Sequence, residues 1–250
     1  MAVALVVLQL SATVLVPPHV TKAVDTLYPA SAYSARRNLA RDAALAASSR
    51  TTAEGIPLAG DDMVYGEFDL AFFAQLLELA APQPGDEFCD LGSGAGRLVL
   101  AAALLYPDTW SNCHGVELSG PLHDAAIATR VAFESLDARP PIADCEYTCA
   151  SVLDEVAGAA ALAKADVSFS YAVTWASGPT HNQLVRALAR YLPSGARVIS
   201  IDLPLSDEAA ASEGARFKLL HRVVGGNAET SNETVGLVYC VERDKPRNPL

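Results

Sequence analysis

The sequence has few basic residues and no C-x-x-C cysteine pair. Lysine and arginine together number 18, against 29 aspartate and glutamate residues, so the formal net charge is −11. A surface of this charge repels phosphate backbones, which disfavours direct nucleic-acid binding and favours a basic peptide or protein as partner. The five cysteines are odd in number and include no C-x-x-C pair. They predict buried, reduced thiols in place of a disulfide framework or a zinc site.

The sequence also lacks an apolar run long enough to cross a bilayer. Residues 2–16 carry no charge, but this run is shorter than the roughly 20 residues that a spanning helix needs. No basic residue precedes the run, as a secretory signal would require, so a targeting segment and a packed N-terminal element both remain open. The histidines are scattered without the spacing of metal ligands, so we expect no metal site.

The composition of the remaining chain is that of a globular α/β protein. Apolar residues make up 51% and charged residues 19% of the 250 residues, which excludes wholesale disorder. We expect an N-terminal extension over residues 1–62 and one domain over residues 63–250. Within the extension, residues 34–49 favour a helix, and we interpret its three arginines as a solvated helix face.

The stretch from residue 87 to residue 97 combines an acidic residue with three alternating glycines between apolar runs. Its order predicts a buried strand, a tight turn and a helix. Asp90 lies at the carboxyl end of the strand, where it can accept hydrogen bonds from a ligand. Glycines permit positive φ angles and a close approach of ligand to backbone, and here they are Gly92, Gly94 and Gly96. The spacing alone leaves a nicotinamide site and a purely structural turn open.

A second acidic residue, Glu117, ends the next predicted strand, 27 positions after Asp90 (117 minus 90). Predicted strands over 145–150, 166–171 and 196–202 alternate with helices, which is typical of a parallel sheet. Two β-rich runs then follow without a helix between them, so the chain is expected to end in a long hairpin.

A loop with the sequence Tyr65-Gly66-Glu67 precedes a predicted helix for which Asp69 is the candidate N-cap. In a doubly wound sheet such a loop can close over the crevice at the strand ends. We expect it to form a lid that cofactor orders. Glu67 then either contacts the ammonium group of a cofactor or interacts favourably with the helix N-terminus.

These motifs together resemble those of the class I S-adenosylmethionine-dependent methyltransferases. Within that class they are similar to the non-SET histone-lysine methyltransferases of the disruptor-of-telomeric-silencing family, and the resemblance covers about residues 65–202. The motifs that carry it are Tyr65-Gly66-Glu67, Asp90-Leu91-Gly92-Ser93-Gly94, Gly115-Val116-Glu117, Glu146-Tyr147-Thr148 and Gly178-Pro179. The resemblance implies an α/β, doubly wound, mostly parallel seven-stranded sheet, Rossmann-like, ending in a β-hairpin with one antiparallel strand.

The resemblance also implies S-adenosylmethionine as methyl donor. In the family the Tyr-Gly-Glu loop covers the methionine end of the cofactor, and the acid that matches Glu117 binds the ribose. The positions that match Ser151 and Val152 contact adenine. The residues expected to bind the cofactor are Tyr65, Gly66, Glu67, Asp90, Gly92, Ser93, Gly94, Gly96, Glu117, Ser151 and Val152.

The acceptor implied by the resemblance is a protein lysine, such as one of histone H3. Tyr65, Tyr171 and Trp175 are the candidate walls of a lysine channel. The family has an asparagine after its fourth strand, where this chain has Tyr171-Ala172. A small-molecule methyltransferase and a non-catalytic cofactor-binding module are the alternatives. The resemblance implies an intracellular protein of the nucleus or cytoplasm, or of an organelle if residues 1–16 are a transit segment.

Overall fold

The computed structural model describes residues 14–47, 64–172, 179–226 and 233–243. Its α-helices are α1 (Pro18–Leu27), α2 (Tyr33–Ala47), α3 (Leu70–Ala80), α4 (Arg97–Leu105), α5 (Gly120–Glu134), α6 (Ala157–Lys164), α7 (Thr180–Tyr191) and α8 (Asp207–Ala211), with a 3-10 turn over Ala30–Ala32. Its strands are β1 (Glu87–Leu91), β2 (Asn112–Glu117), β3 (Cys145–Cys149), β4 (Val167–Ser170), β5 (Arg197–Ile201), β6 (Ala215–Gly226) and β7 (Glu233–Arg243).

The seven strands form one sheet in the order β3-β2-β1-β4-β5-β7-β6. Strands β1 to β5 pair in parallel, whereas β7 runs antiparallel to both of its neighbours, β5 and β6. The C-terminal hairpin therefore contributes the single reversed strand. This arrangement confirms the fold class that the βα alternation and the family resemblance predict.

Helices cover both faces of the sheet and bury two apolar layers. One layer packs α1, α3, α4 and α5 against the sheet, and its largest fully buried side chains include Phe73, Phe88 and Phe133. The other layer packs α6, α7 and α8 against the opposite face, with Leu184 and Leu188 at its centre. Strand β1 is buried on both faces, as expected of a central parallel strand, and its end is therefore fixed in position.

Helix α3 begins where the sequence predicts. The carboxylate of Asp69 accepts a hydrogen bond from the backbone N–H of Phe72 over 2.7 Å, which confirms Asp69 as the N-cap. On the buried side of this helix β6 and β7 of the sheet approach closely, and a side chain at Gly225 or Gly236 would collide with the helix residues Phe72 and Leu76. The two glycines thus let α3 pack tightly against the hairpin end of the sheet.

The first two helices pack onto the helices that flank the glycine turn. Val20 and Val24 of α1, together with Ala40 of α2, are buried in the same apolar layer as α4 and α5. The boundary expected between residues 62 and 63 lies outside the described residues and stays a prediction, as does a targeting role for residues 1–16. Among the described helices, none is long and apolar enough to cross a membrane.

The cysteines are less uniformly buried than predicted. Cys89 and Cys113 are buried in β1 and β2, but Cys145 and Cys240 are only half-buried and Cys149 is exposed. The prediction is wrong for Cys149, because it is the last residue of β3 and β3 lies at one edge of the sheet. None of the five forms a disulfide.

Candidate active site

A cleft runs along the carboxyl edge of the parallel strands, at the point where the strand order reverses between β1 and β4. Residues at or just beyond the carboxyl ends of four neighbouring strands line it. Ser151 comes after β3, Glu117 ends β2, Asp90 lies in β1 and Tyr171 follows β4. Open α/β sheets bind their ligands at such a reversal. The sheet order therefore brings together groups that lie up to 81 positions apart in the chain (171 minus 90).

The glycine turn is tied to the end of the neighbouring strand. The backbone N–H groups of Gly92 and Ser93 both donate to the carbonyl of Val116, over 2.9 and 3.0 Å. The N–H of Gly94 donates to Oε2 of Glu117 over 2.7 Å. These bonds fix the turn directly above the end of β2, so the two acidic strand ends and the turn form one rigid unit.

The three glycines of the turn have different reasons to lack a side chain. Gly92, Gly94 and Gly96 all have positive φ angles, of 84°, 56° and 81°. A Cβ at Gly94 would lie 2.7 Å from the Tyr65 ring, and one at Gly96 would lie 2.7 Å from the Tyr147 ring. A Cβ at Gly92 would meet nothing within 4 Å, and Gly92 is the exposed glycine of the turn. Gly92 is therefore where the bare backbone faces the open cleft.

The sequence analysis places Gly94 and Gly96 in the cofactor site because glycine lets a ligand approach the backbone. In the structure, neighbouring rings are what exclude a side chain at these two positions. Gly94 lines the cleft, but its missing side chain makes room for Tyr65. Gly96 lies outside the cleft lining, at the start of α4, where it packs against β3 and α5. Ser93 borders the cleft, yet its hydroxyl is buried beside Gly115 and has no hydrogen-bond partner among the described residues.

We expect a Gly92→Ala substitution to weaken the binding of S-adenosylhomocysteine by roughly tenfold, about 1.4 kcal/mol. The added methyl group would project into the cleft at the place where a ligand meets the backbone. The matched control is Gly195→Ala, because Gly195 has a φ of 88°, is exposed and has open space around its Cβ position, far from the cleft. Both variants should lose about 1 kcal/mol of stability from the positive φ. Equal affinities in the two variants, measured by isothermal titration, would contradict the placement.

The two acidic strand ends differ in their environment. Asp90 is buried, with 4% of its surface exposed, and its burial together with the charge of Glu117 raises the pKa of the carboxyl to about 8. Glu117 is half-buried, and burial also raises its pKa, although backbone hydrogen bonds from Ser119 and Gly94 oppose that shift. Asp90 is thus a strong candidate partner for a ligand cation, since a positive charge would stabilise its ionised form.

The end of the cleft beside β3 is apolar. Val152 is buried there, and Leu122 of α5 lies on the other side. The hydroxyl of Ser151 accepts a hydrogen bond from the N–H of Leu153 over 3.1 Å, which closes the loop after β3. An apolar slot of this kind suits the flat ring of a nucleobase, which is stabilised mainly by burial. Both residues expected to contact adenine therefore border the same end of the cleft.

The loop containing Tyr65, Gly66 and Glu67 covers the glycine turn from above, and all three residues line the cleft. Glu67 Oε1 accepts hydrogen bonds from the Tyr65 hydroxyl over 3.0 Å and from Nε of Arg36 over 2.7 Å. Arg97 Nε lies 3.8 Å from the second carboxylate oxygen of Glu67. Glu67 thus does not cap α3, where Asp69 is the N-cap, and its expected contact with a cofactor stays a prediction.

The sequence analysis is wrong about the environment of Arg36. It lies on α2, whose arginines we expected on a solvated face, and that expectation fails for Arg36, which is only 7% exposed. Arg37 and Arg41 of the same helix are exposed. The reason is that the helix packs beside the loop before α3, so one arginine meets Glu67, 31 positions away. Periodicity on a polar helix gives no sign of such a pair.

The end of the cleft beside β4 is aromatic. The Phe68 ring lies 5.4 Å from Phe169 and 5.1 Å from Tyr171, measured between ring centroids, and all three side chains line the cleft. We call these three rings the aromatic end. Phe68 and Phe169 were not among the candidates from sequence, because a buried aromatic before a helix or within a strand is typical of any core. Trp175 and Gly178 lie outside the described residues.

These features fit an amphipathic ligand that joins a nucleoside to an amino acid. The cleft offers an apolar slot beside β3, two carboxylates at its centre and a bare backbone at Gly92. In the described part of the chain no group of three or more His, Cys, Asp or Glu side chains is arranged to hold a metal ion. The residues that are present therefore suit S-adenosylmethionine, with its adenosine towards β3 and its methionine towards β1.

Comparison with solved structures supports the fold. The chain is similar to an RNA methyltransferase from Salinibacter ruber in complex with S-adenosyl-L-homocysteine, with a TM-score of 0.50 and 21% identity over 73% of this chain and 98% of that one. TrmN from Thermus thermophilus gives a TM-score of 0.52 with 18% identity, over 73% of this chain and 51% of TrmN. The rRNA methyltransferase aviRa from Streptomyces viridochromogenes gives 0.51 with 20% identity, over 70% and 86%.

A comparison with curated protein sequences found no significant match. A family model, described as histone methylation protein DOT1, matches residues 58–215, which is more than half of the chain. This range contains the loop before α3, the glycine turn, both acidic strand ends and the aromatic end. The match agrees with the resemblance that the motifs carry and makes the protein an S-adenosylmethionine-dependent methyltransferase. The chain belongs to the DOT1 histone methylation family.

Proposed function

We propose that this methyltransferase acts on the side-chain amine of a lysine in a basic protein. The aromatic end of the cleft is the observation that carries the proposal. Phe68, Phe169 and Tyr171 form an apolar wall next to Asp90 and Gly92, the residues proposed to hold the methionine part of the donor. The family's description as histone methylation proteins supports the same acceptor.

The proposed chemistry places modest demands on the protein. Bound S-adenosylmethionine supplies an activated methyl group on a positively charged sulfur. A lysine amine, with a pKa of about 10.4 in water, must lose a proton before it can attack that group. Burial against aromatic rings disfavours the ammonium form and so lowers the pKa of the amine. The remaining task of the protein is to align donor and acceptor and to exclude water.

We assign the donor's binding to the residues predicted from sequence that line the cleft. Asp90 lies at the methionine end, Glu117 at the ribose and Ser151 with Val152 at the adenine. The loop of Tyr65, Gly66 and Glu67 covers the donor, and Gly92 gives it access to the backbone. Tyr65 is then a wall of the donor site, whereas Tyr171 is a wall of the acceptor site.

The net charge of −11 supports a basic protein as the partner. A small-molecule acceptor would use the same aromatic end, and a non-catalytic module would bind donor without transferring its methyl group. The three functions make different predictions about where the methyl group is found after reaction.

The test is a transfer assay with S-adenosylmethionine that carries a labelled methyl group. The protein is incubated separately with core histones, with nucleosomes and with a lysate of the source organism, and products are sorted into protein, RNA and dialysable small molecules. We expect label in protein, and mass spectrometry should place added methyl groups on lysine. The Gly92→Ala variant, in which donor binding should be weakened, should transfer less label than its matched control Gly195→Ala.

Label found only in RNA or only in dialysable material would refute the protein-lysine proposal. Binding of S-adenosylhomocysteine by titration without any labelled product would favour the non-catalytic module. Failure to bind S-adenosylhomocysteine at all would instead contradict the assignment of the cleft itself.

A further inference from the structure

Arg36 of α2 connects the N-terminal helices to the loop that covers the glycine turn. Its side chain is only 9% exposed, and that of Glu67 is 18% exposed. Nε and Nη2 of Arg36 lie 2.7 and 2.5 Å from Oε1 of Glu67. The hydroxyl of Tyr65 donates to the same oxygen over 3.0 Å. One carboxylate oxygen thus accepts two hydrogen bonds and lies in ion-pair contact with Nη2, which fixes the position of the loop relative to α2.

The other side of the Arg36 guanidinium rests on the end of α1. Its Cζ lies 5.8 Å from the centroid of the Tyr28 ring, and Nη2 donates to the carbonyl of Pro29 over 3.4 Å. The hydroxyl of Tyr28 in turn donates to the carbonyl of Ala95, inside the glycine turn, over 3.0 Å. Arg36 is therefore held between two groups that contact the turn, Tyr28 beside Ala95 and Tyr65 beside Gly94.

A second arginine joins the same carboxylate from the far side. Arg97, the first residue of α4, places Nε 3.8 Å from Oε2 of Glu67 and donates from Nη1 to the carbonyl of Phe68 over 2.8 Å. Glu67 consequently bridges α2 and α4 across the loop. Arg36 is buried and Glu67 is half-buried, so removing either charge leaves the other poorly compensated and makes the pair costly to break.

We propose that Arg36 is a positioning residue for the cofactor site, acting through Glu67 to hold the loop of residues 64–68 in its binding conformation over the glycine turn. The helices before the matched family region would then be part of the methyltransferase unit. A loop that is ordered before the ligand binds loses little conformational entropy on binding, so the net binding free energy is more favourable. This inference rests on the cleft being the donor site and is independent of which acceptor the protein methylates.

The test measures S-adenosylhomocysteine affinity by titration and hydrogen exchange of residues 64–68 in the absence of ligand. We expect Arg36→Gln to weaken binding about tenfold and to speed exchange of these amides. Arg41→Gln is the matched control, because Arg41 lies on the same helix with 66% of its side chain exposed and its ion-pair partner is its neighbour Asp42. The control should match the wild type in both measurements.

A double-mutant cycle with Glu67→Gln separates positioning through Glu67 from a general effect on stability. If Arg36 acts through Glu67, the double variant should bind about as weakly as the weaker single variant. Effects on affinity that multiply, as for independent sites, would overturn the proposal. So would unchanged or tighter binding by Arg36→Gln, since tighter binding would mean that the pair keeps the cofactor out.

A more conservative variant keeps the test decisive if Arg36→Gln does not fold. Arg36→Lys retains the positive charge but has only one donor group and cannot stack on Tyr28 as a planar guanidinium does. We expect its affinity to lie between those of the wild type and Arg36→Gln, with partly restored protection of residues 64–68. Affinity and protection both equal to the wild type in Arg36→Lys would count against positioning by the guanidinium. Absence of binding by the wild type would instead refute the donor site.

Discussion

An Asp90→Asn variant should bind S-adenosylhomocysteine at least about tenfold more weakly than the wild type, yet unfold at a higher temperature near pH 8. The first effect follows from removing the carboxylate proposed to meet the cationic end of the ligand. Losing a hydrogen bond to a charged group costs roughly 1.5–3 kcal/mol, which corresponds to tenfold or more in affinity.

The gain in stability follows from the raised pKa of Asp90. In the unfolded chain the carboxyl ionises near its usual pKa of 3.8, whereas in the folded protein burial and the charge of Glu117 raise that pKa to about 8. Between these values the folded protein holds one more proton than the unfolded chain, so stability falls as the pH rises. Asparagine does not ionise and so avoids this loss, and we therefore expect the variant to be more stable than the wild type at pH 8.

Thermal unfolding without ligand, measured between pH 4 and pH 8, checks this expectation. The difference in melting temperature between Asp90→Asn and the wild type should grow with pH across this window. Asp108→Asn is the control, because Asp108 is exposed in a turn and lies outside the cleft. A variant less stable than the wild type at pH 8 would indicate that the Asp90 carboxylate stabilises the ligand-free fold.

Ligand binding should also depend on the protonation state of Asp90. A ligand cation beside Asp90 stabilises the ionised carboxylate, so binding below about pH 8 must release a proton. Titrations in buffers with different heats of ionisation detect such a proton, and it should be absent in Asp90→Asn. The ionised Asp90 carboxylate thus destabilises the ligand-free protein, and the cation of the proposed ligand would stabilise it.

The positions of Asp90 and Glu117 could be predicted from sequence because they depend on local pattern. Each ends a short apolar run, and parallel strands place their carboxyl ends at the same edge of the sheet. The hairpin of β6 and β7 was predictable for the same reason, since two β-rich runs follow one another without a helix between them. In both cases the prediction needs only the order of strands and helices along the chain.

The arrangement around Glu67 could not be predicted, because it depends on contacts between distant segments. Arg36 belongs to a polar helix with no strong apolar stripe, and its partner lies 31 positions further on. The helix-terminal role offered for Glu67 considered only its own neighbours in the chain. Gly94 and Gly96 show the same limit, since the rings that require them to lack a side chain come from residue 65 and residue 147.

Glu117 has two functions in the structure, and its replacement should therefore have two effects. Its Oε2 accepts from the N–H of Gly94 and its Oε1 from the N–H of Ser119, each over 2.7 Å. From sequence alone we would expect Glu117→Ala to leave the ligand-free protein unchanged. The two bonds alter that expectation, because their donors lose a charged partner at the edge of the core. We now expect a loss of about 1–3 kcal/mol in stability without ligand.

The second effect is on the ligand, since the free lone pairs of the same carboxylate are proposed to accept from the ribose hydroxyls. S-adenosylhomocysteine affinity should fall at least about tenfold in Glu117→Ala. Glu146→Ala is the control, because Glu146 is an exposed acid on the neighbouring strand and lies outside the cleft. Its affinity for the ligand should equal that of the wild type.

A change in the ligand separates the two functions of Glu117. The 2′-deoxy analogue of S-adenosylhomocysteine lacks one ribose hydroxyl, and we expect the wild type to bind it several-fold more weakly than the parent compound. In Glu117→Ala the carboxylate that would accept from that hydroxyl is already absent, so the two ligands should bind with nearly equal affinity. If the deoxy analogue loses as much affinity in the variant as in the wild type, Glu117 only supports the glycine turn, because a purely structural residue would weaken both ligands by the same factor.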